Sequence, residues 1–178
     1  MGELILKLIY NIRLYINGII LRLLGINAKG IPLIDQQWRV YGLTNIDIGK
    51  NFKSGLSLRI QNISSTSKII IGDNVNFNDR VHIACNESII IGSGCLFASN
   101  ILITDHGHGI HNINIMPIKR PLDSAPVEIG EDVWIGENTV VYKGVKIGKG
   151  AIIGANSFVN VDVPDGAIFA GTPARQIR

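Results

Sequence analysis

The sequence predicts an all-β fold assembled from a short repeat, and three observations predict it. Isoleucine occurs 33 times in 178 residues, while aromatic residues make up only 6%. β-branched side chains suit stacked, pleated surfaces, so this imbalance favours columns of strands over an ordinary mixed core. Interspersed are 20 glycines, residues suited to tight corners between short strands. The third observation is periodicity. Ile129, Ile135, Val141, Ile147, Ile153 and Val159 follow one another at intervals of six. Neither the helical period nor the two-residue strand period produces that spacing.

Within each hexad the position four places after the aliphatic residue is small or β-branched: Val133, Thr139, Val145, Ala151, Ser157 and Val163. The same phase shows earlier from Ile71 and Ile91, and more weakly from Ile48. Each hexad reads as a short strand plus a corner, with its aliphatic residue pointing inward. Stacked coils bury one another's apolar faces, and a single coil would be unstable. Glycine often follows the aliphatic residue, at Gly72, Gly92, Gly130, Gly136, Gly148 and Gly154, where backbone angles that a Cβ resists are expected. Ile71 and Ile91 lie 20 residues apart, two more than three hexads, which places a small bulge between Cys85 and Ser88.

Composition bounds the rest. An apolar fraction of 46% with 17% charged residues excludes a disordered chain, and the length suits one domain with a buried core. A net charge of +3, with no basic run or aromatic-interleaved basic patch, gives no footprint for nucleic acid. Two cysteines, Cys85 and Cys95, fit a reducing, cytoplasmic compartment and are too few for a four-cysteine metal site.

Residues 1–25 form a separate element, an amphipathic helix, ahead of a β-domain over 26–178. Polar residues return at Lys7, Asn11, Arg13, Asn17 and Arg22, so no long uninterrupted apolar stretch exists, and no cleavage signature follows. Lys7, Asn11, Gly18 and Arg22 fall near one face, and Gly25 is placed to cap the C-terminus. Two destinations stay open: packing on this domain or a neighbouring subunit, or a monotopic contact of residues 4–24 with an anionic membrane surface through Lys7, Arg13 and Arg22.

The repeat breaks after Ile103 and resumes near Val127, leaving an excursion loop over about 104–126. Loops of this length inside a compact domain usually carry function. It opens with Asp105, His106, Gly107, His108 and Gly109, followed by His111, so three of the four histidines fall together, the fourth being His82. A histidine titrates near neutrality and takes a proton from a hydroxyl.

These hexads, with the stretches "NDRVHI", "DHGHGI", "RPLDSAPVEIG" and "VWIGEN", resemble the hexapeptide-repeat acyltransferases over about residues 44–178. They are most similar to the branch that O-acetylates sugars of lipopolysaccharide and capsule. The resemblance implies a left-handed parallel β-helix, three hexads per coil, and a homotrimer with acetyl-CoA as cosubstrate at each subunit interface. It implies direct transfer with His106 as general base and His108 as runner-up. Asn78 corresponds to the acceptor-holding asparagine. Asp79 is a second acceptor ligand or the residue that orients the imidazole, and Arg80 and His82 lie beside them.

On the cosubstrate side the resemblance points to Trp134, Gly136 and Glu137 near the thioester, with backbone amides around Gly136 and Glu137 polarising its carbonyl. Gly154 and Ala155 lie under the pantetheine arm, Asn160 is a polar contact, and Arg175 and Arg178 stand near the phosphates. A lysine common in the family is Val161 here, which removes a charge from the expected phosphate site. No metal is implied. Two other activities share the fold: N-acetylation of an amino sugar or amino acid, and a zinc hydratase of the γ-carbonic anhydrase kind, whose ligands would be His82, His106 and His111.

Overall fold

The computed structural model describes residues 2–110 and 114–178. One helix, α1 (Gly2–Leu23), precedes a parallel β-solenoid of about seven coils. Each coil contributes one short strand to each of three sheets of six, eight and six strands. The first coil runs through strands Asn27–Ala28, Leu33–Ile34 and Arg39–Tyr41, so the solenoid begins a coil earlier than the legible repeat. Its inward residues Ala28, Ile34 and Val40 keep the interval of six, but no glycine follows them and the corner before Ile48 holds two surplus residues, which is why the hexads do not announce it.

Inward columns form as the spacing predicts. On the first sheet Ala28, Ile48, Ile71, Ile91, Ile129 and Ile147 stack in register. The intervening small positions, Val133, Thr139, Val145, Ala151, Ser157 and Val163, are all buried. Phe52, Phe77 and Phe97 add an edge-to-face aromatic ladder, with ring centroids 5.2 and 4.7 Å apart.

The corner glycines act differently from the sequence expectation. Gly92 and Gly136 have ordinary backbone angles, but a Cβ on either would lie 2.6 Å from backbone of the next coil. Close approach between coils, not an unusual φ, demands glycine there. Left-handed geometry falls two residues later, at Asn74, Gly94, Asp132, Asn138, Gly150 and Asn156. At the corner of interest it falls on Arg80 (φ 57°), so Asn78 is not held there by backbone conformation.

Helix α1 docks against the first coil. Leu14, Gly18 and Leu21 face it, and a Cβ on Gly18 would collide with the Pro32 carbonyl. Arg13 pairs with Asp35 at 2.8 Å, Tyr10 donates to the same carboxylate, and Asn17 donates to the carbonyls of Ile34 and Asp35. The Gly25 amide donates to the Arg22 carbonyl and that of Ile26 to Leu21, the Schellman pattern that ends the helix as expected. Two details differ from the sequence reading. Gly18 belongs to the docked face, and Arg13 is committed to Asp35 and is not available to headgroups.

Candidate active site

Three corner edges run the length of the solenoid, and the candidate residues divide between two of them. The excursion leaves the edge between the third and first sheets. It is a hairpin, His106–His108 against Leu122–Ser124, with a 3-10 turn at Pro117–Lys119. His106 Nδ1 lies 2.9 Å from the Asp105 carboxylate, and the His106 side chain is 13% exposed. With Nδ1 donating to a carboxylate, Nε2 carries the lone pair.

Asp105 is fully buried and accepts hydrogen bonds at 2.8 Å from the backbone amides of Asn86, Glu87 and Ser88, with Cys85 Sγ at 3.3 Å. Two of those amides, Asn86 and Glu87, belong to the bulge expected between Cys85 and Ser88, and the third opens the strand that follows. The bulge is therefore a nest that fixes the acid behind the histidine. Burial first, then the charge of Asp105, pushes the Cys85 thiol up to about 12. Thr104 Oγ1 donates to the His106 carbonyl at 3.0 Å and accepts the His106 amide, and Asn86 Nδ2 ties the nest to Ser124 of the hairpin.

Asp79 does not orient the imidazole. Its Oδ1 accepts the Leu56 amide at 2.9 Å, clamping the corner between the second and third sheets. Arg80 Nε donates to Asn100 Oδ1, and Asn78 is exposed on the same corner. The four-residue strand His82–Cys85 separates this corner from the hairpin edge, about 13 Å at the usual rise. His108 is exposed further out on the hairpin, opposite Leu122, and His111 lies outside the described residues. His82 sits on the third sheet with Nε2 2.8 Å from Gln61 Oε1. Burial first, then Arg59 and His106, lowers its pKa to about 4, so it is neutral at pH 7. Among the described residues no group of three His, Cys, Asp or Glu is placed to hold a metal.

The cosubstrate candidates mostly stack above Asn78. The amides of Asn78, Ala98, Gly136 and Gly154 each donate to the coil that follows, at Phe97, Ile135, Ile153 and Phe169. The Gly136 amide is thus committed to the ladder and does not polarise a carbonyl. Along this edge Ala98, Gly136 and Gly154 carry at most a methyl group and Ala155 is exposed, and the space a Cβ would take at Gly136 and Gly154 is filled by the next coil. Glu137 accepts from Asn100 at 3.3 Å. Trp134 is half exposed on the second sheet. Arg175 and Arg178 are exposed beside the terminal antiparallel strand, and Asn160 and Val161 lie exposed beyond Val159 on the hairpin's edge.

The pattern described as "Bacterial transferase hexapeptide (six repeats)" matches residues 126–160. The chain is 43% identical over 141 residues to the putative lipopolysaccharide biosynthesis O-acetyl transferase WbbJ of Escherichia coli, covering 75% of this chain and 71% of that protein. It is 37% identical over 112 residues to the galactoside O-acetyltransferase of the same organism, over 63% of this chain but only 54% of that one. Among solved structures, galactoside acetyltransferase in complex with coenzyme A superposes with a TM-score of 0.59 at 30% identity, covering 86% of this chain and 63% of that one. The N-acyltransferase AntD of Bacillus cereus reaches 0.74 at 21% identity over 89% and 86%, a likeness of fold. Repeat, solenoid and relatives agree: the chain belongs to the hexapeptide-repeat acetyltransferase family.

Proposed function

We propose that this protein transfers an acetyl group from acetyl-CoA to a hydroxyl of a sugar, in the cytoplasmic assembly of a surface polysaccharide. One observation carries the reading: a histidine whose Nδ1 is fixed by a buried, amide-held carboxylate, leaving Nε2 as base. Acetyl-CoA supplies the activated acyl group as a thioester. His106 Nε2 removes the acceptor hydroxyl proton as the oxygen bonds to the acyl carbon, and returns it to the sulfur as the carbon–sulfur bond breaks. Asp105 steadies the charged imidazolium between those events. His106→Ala should cut kcat about a hundredfold or more while coenzyme A affinity stays within twofold. Wild-type turnover in that variant would overturn the assignment. Transfer only to an amino sugar would replace the hydroxyl acceptor by an amine.

Three features support two partners. Asn78, Gly136, Gly154 and Ala155 occupy one edge and His106 another, so a complete site needs two copies; a homotrimer of three-sided prisms supplies three such sites. Helix α1 turns Leu8, Ile12, Tyr15, Ile16 and Ile19 away from the solenoid, all about half exposed. By length and hydropathy Glu3–Leu23 would also suffice to cross a bilayer. The Tyr10, Arg13 and Asn17 bonds to the first coil favour a helix lying in the interface instead, with exposed Lys7 and Arg22 towards anionic headgroups.

A further inference from the structure

Arg39 and Arg59 stand directly opposite one another on adjacent strands of the third sheet, in register with His82 on the next. Like charges in that relation repel and cost stability. Neither guanidinium has an ion-pair or hydrogen-bond partner among the described residues. Both line a cleft of about 590 Å³ with Gln37, Trp38, Ser57 and Leu58, and no carboxylate lines it. The nearby Asp35 is buried and already neutralised by Arg13.

The cleft lies directly below the acceptor corner. The Leu56 amide, next to Ser57 in the cleft wall, donates to Asp79, one coil above and adjacent to Asn78. Arg59 is one strand from His82, on the strand that leaves the acceptor corner. Strand spacing puts the two arginines about 4.8 Å apart along the stack, and Arg59 about the same distance below the level of His82. A pair of cations at that pitch suits two linked phosphates, whose charges neutralise both guanidiniums where a single carboxylate neutralises one.

We propose that this cleft is a diphosphate subsite and that the acceptor is therefore a glycosyl diphosphate, its sugar reaching the acetylation site while Arg39 and Arg59 hold the phosphates. The inference rests on the sugar O-acetyltransferase reading above. Two sources carry this chemistry, a nucleotide diphosphate sugar or a lipid-linked sugar diphosphate. Tyr10 of α1 bonds to Asp35, two residues before Gln37 of the cleft wall, so a lipid tail leaving the cleft would meet the exposed apolar face of the helix.

The test uses the full chain and inorganic pyrophosphate as first probe. Calorimetry should show binding that weakens about tenfold in Arg39→Gln and in Arg59→Gln, and further in the double variant. Each variant should unfold at the same or a higher temperature, because the repulsion is relieved. A structural role for the pair would instead lower the melting temperature. Acetylation is then compared among a free sugar, a UDP-sugar and a farnesyl diphosphate-linked sugar in phosphatidylglycerol vesicles. Wild type should prefer one diphosphate acceptor at least tenfold in kcat/KM, and the double variant should lose that preference. Preference for the vesicle substrate identifies the lipid source, and preference for the UDP-sugar the nucleotide source. Absence of pyrophosphate binding, or equal use of free sugar, overturns the subsite. Absence of transfer to any sugar, with pyrophosphate still bound, overturns the acetyltransferase reading alone.

Discussion

Asp105 is the residue on which the candidate chemistry turns. An Asp105→Asn side chain would present two donors where the carboxylate presents none, against three amides that also donate. That mismatch should cost roughly 1–3 kcal/mol of stability. It should also lower kcat at least a hundredfold with the KM for acetyl-CoA nearly unchanged, because the imidazole loses both its fixed orientation and its counter-charge. Steady-state kinetics beside urea unfolding checks both halves. His82 supplies a pH signature. Its folded pKa of about 4 lies below the ordinary 6.5, so between those values the unfolded chain binds a proton that the folded chain refuses. Its contribution to stability is complete above pH 6.5 and is lost as the pH falls towards 4. His82→Gln keeps a partner for Gln61 and should flatten that slope, seen as urea midpoints at pH 4.5 and 7.5 that differ less than in wild type.

Two inserted elements turn a regular solenoid into a candidate enzyme, the nest at Asn86–Ser88 and the hairpin that follows Thr104. The excursion was legible in the sequence because the repeat stops, and the bulge because two residues are surplus. That the bulge grips the acid of the excursion was not legible. The two segments are a coil apart in the chain and meet only when coils stack. In the sequence Asp79 reads as an orienting acid and Asp105 does not, for the same reason, since adjacency to a histidine-bearing strand says nothing about which edge a side chain occupies. Helix α1 is a third element with its own test. Ile12→Glu with Ile16→Glu changes only the outward face, so the unfolding temperature should hold. Flotation with phosphatidylglycerol vesicles should be lost, and absence of vesicle binding by the wild-type chain would end the membrane reading.

At the scale of the whole molecule, the division of candidate residues between two edges predicts complementation. At subsaturating acceptor, His106→Ala and Asn78→Ala should each be nearly inactive alone. Unfolded and refolded together in equal amounts, they should recover about a quarter of wild-type activity, since random assembly gives one interface in four both native residues. No recovery, with trimers present by sedimentation, would place the whole site within one chain.

The sequence by itself determined the solenoid, its inward columns and the excursion, and offered the candidate base, because each is written in the spacing of residues within one or two coils. A period of six aliphatic residues admits few folds, and a histidine cluster where the period fails marks the place of chemistry. Tertiary structure alone decided which acid holds His106, why glycine so often follows the aliphatic residue, which face of α1 is docked, and that Arg39 and Arg59 share a cleft. All four depend on contacts between residues some twenty positions apart, set by the register of one coil on the next. That register depends on how many residues each corner absorbs, and the irregular corners, including the first coil and the Cys85 bulge, do not follow from the hexad pattern.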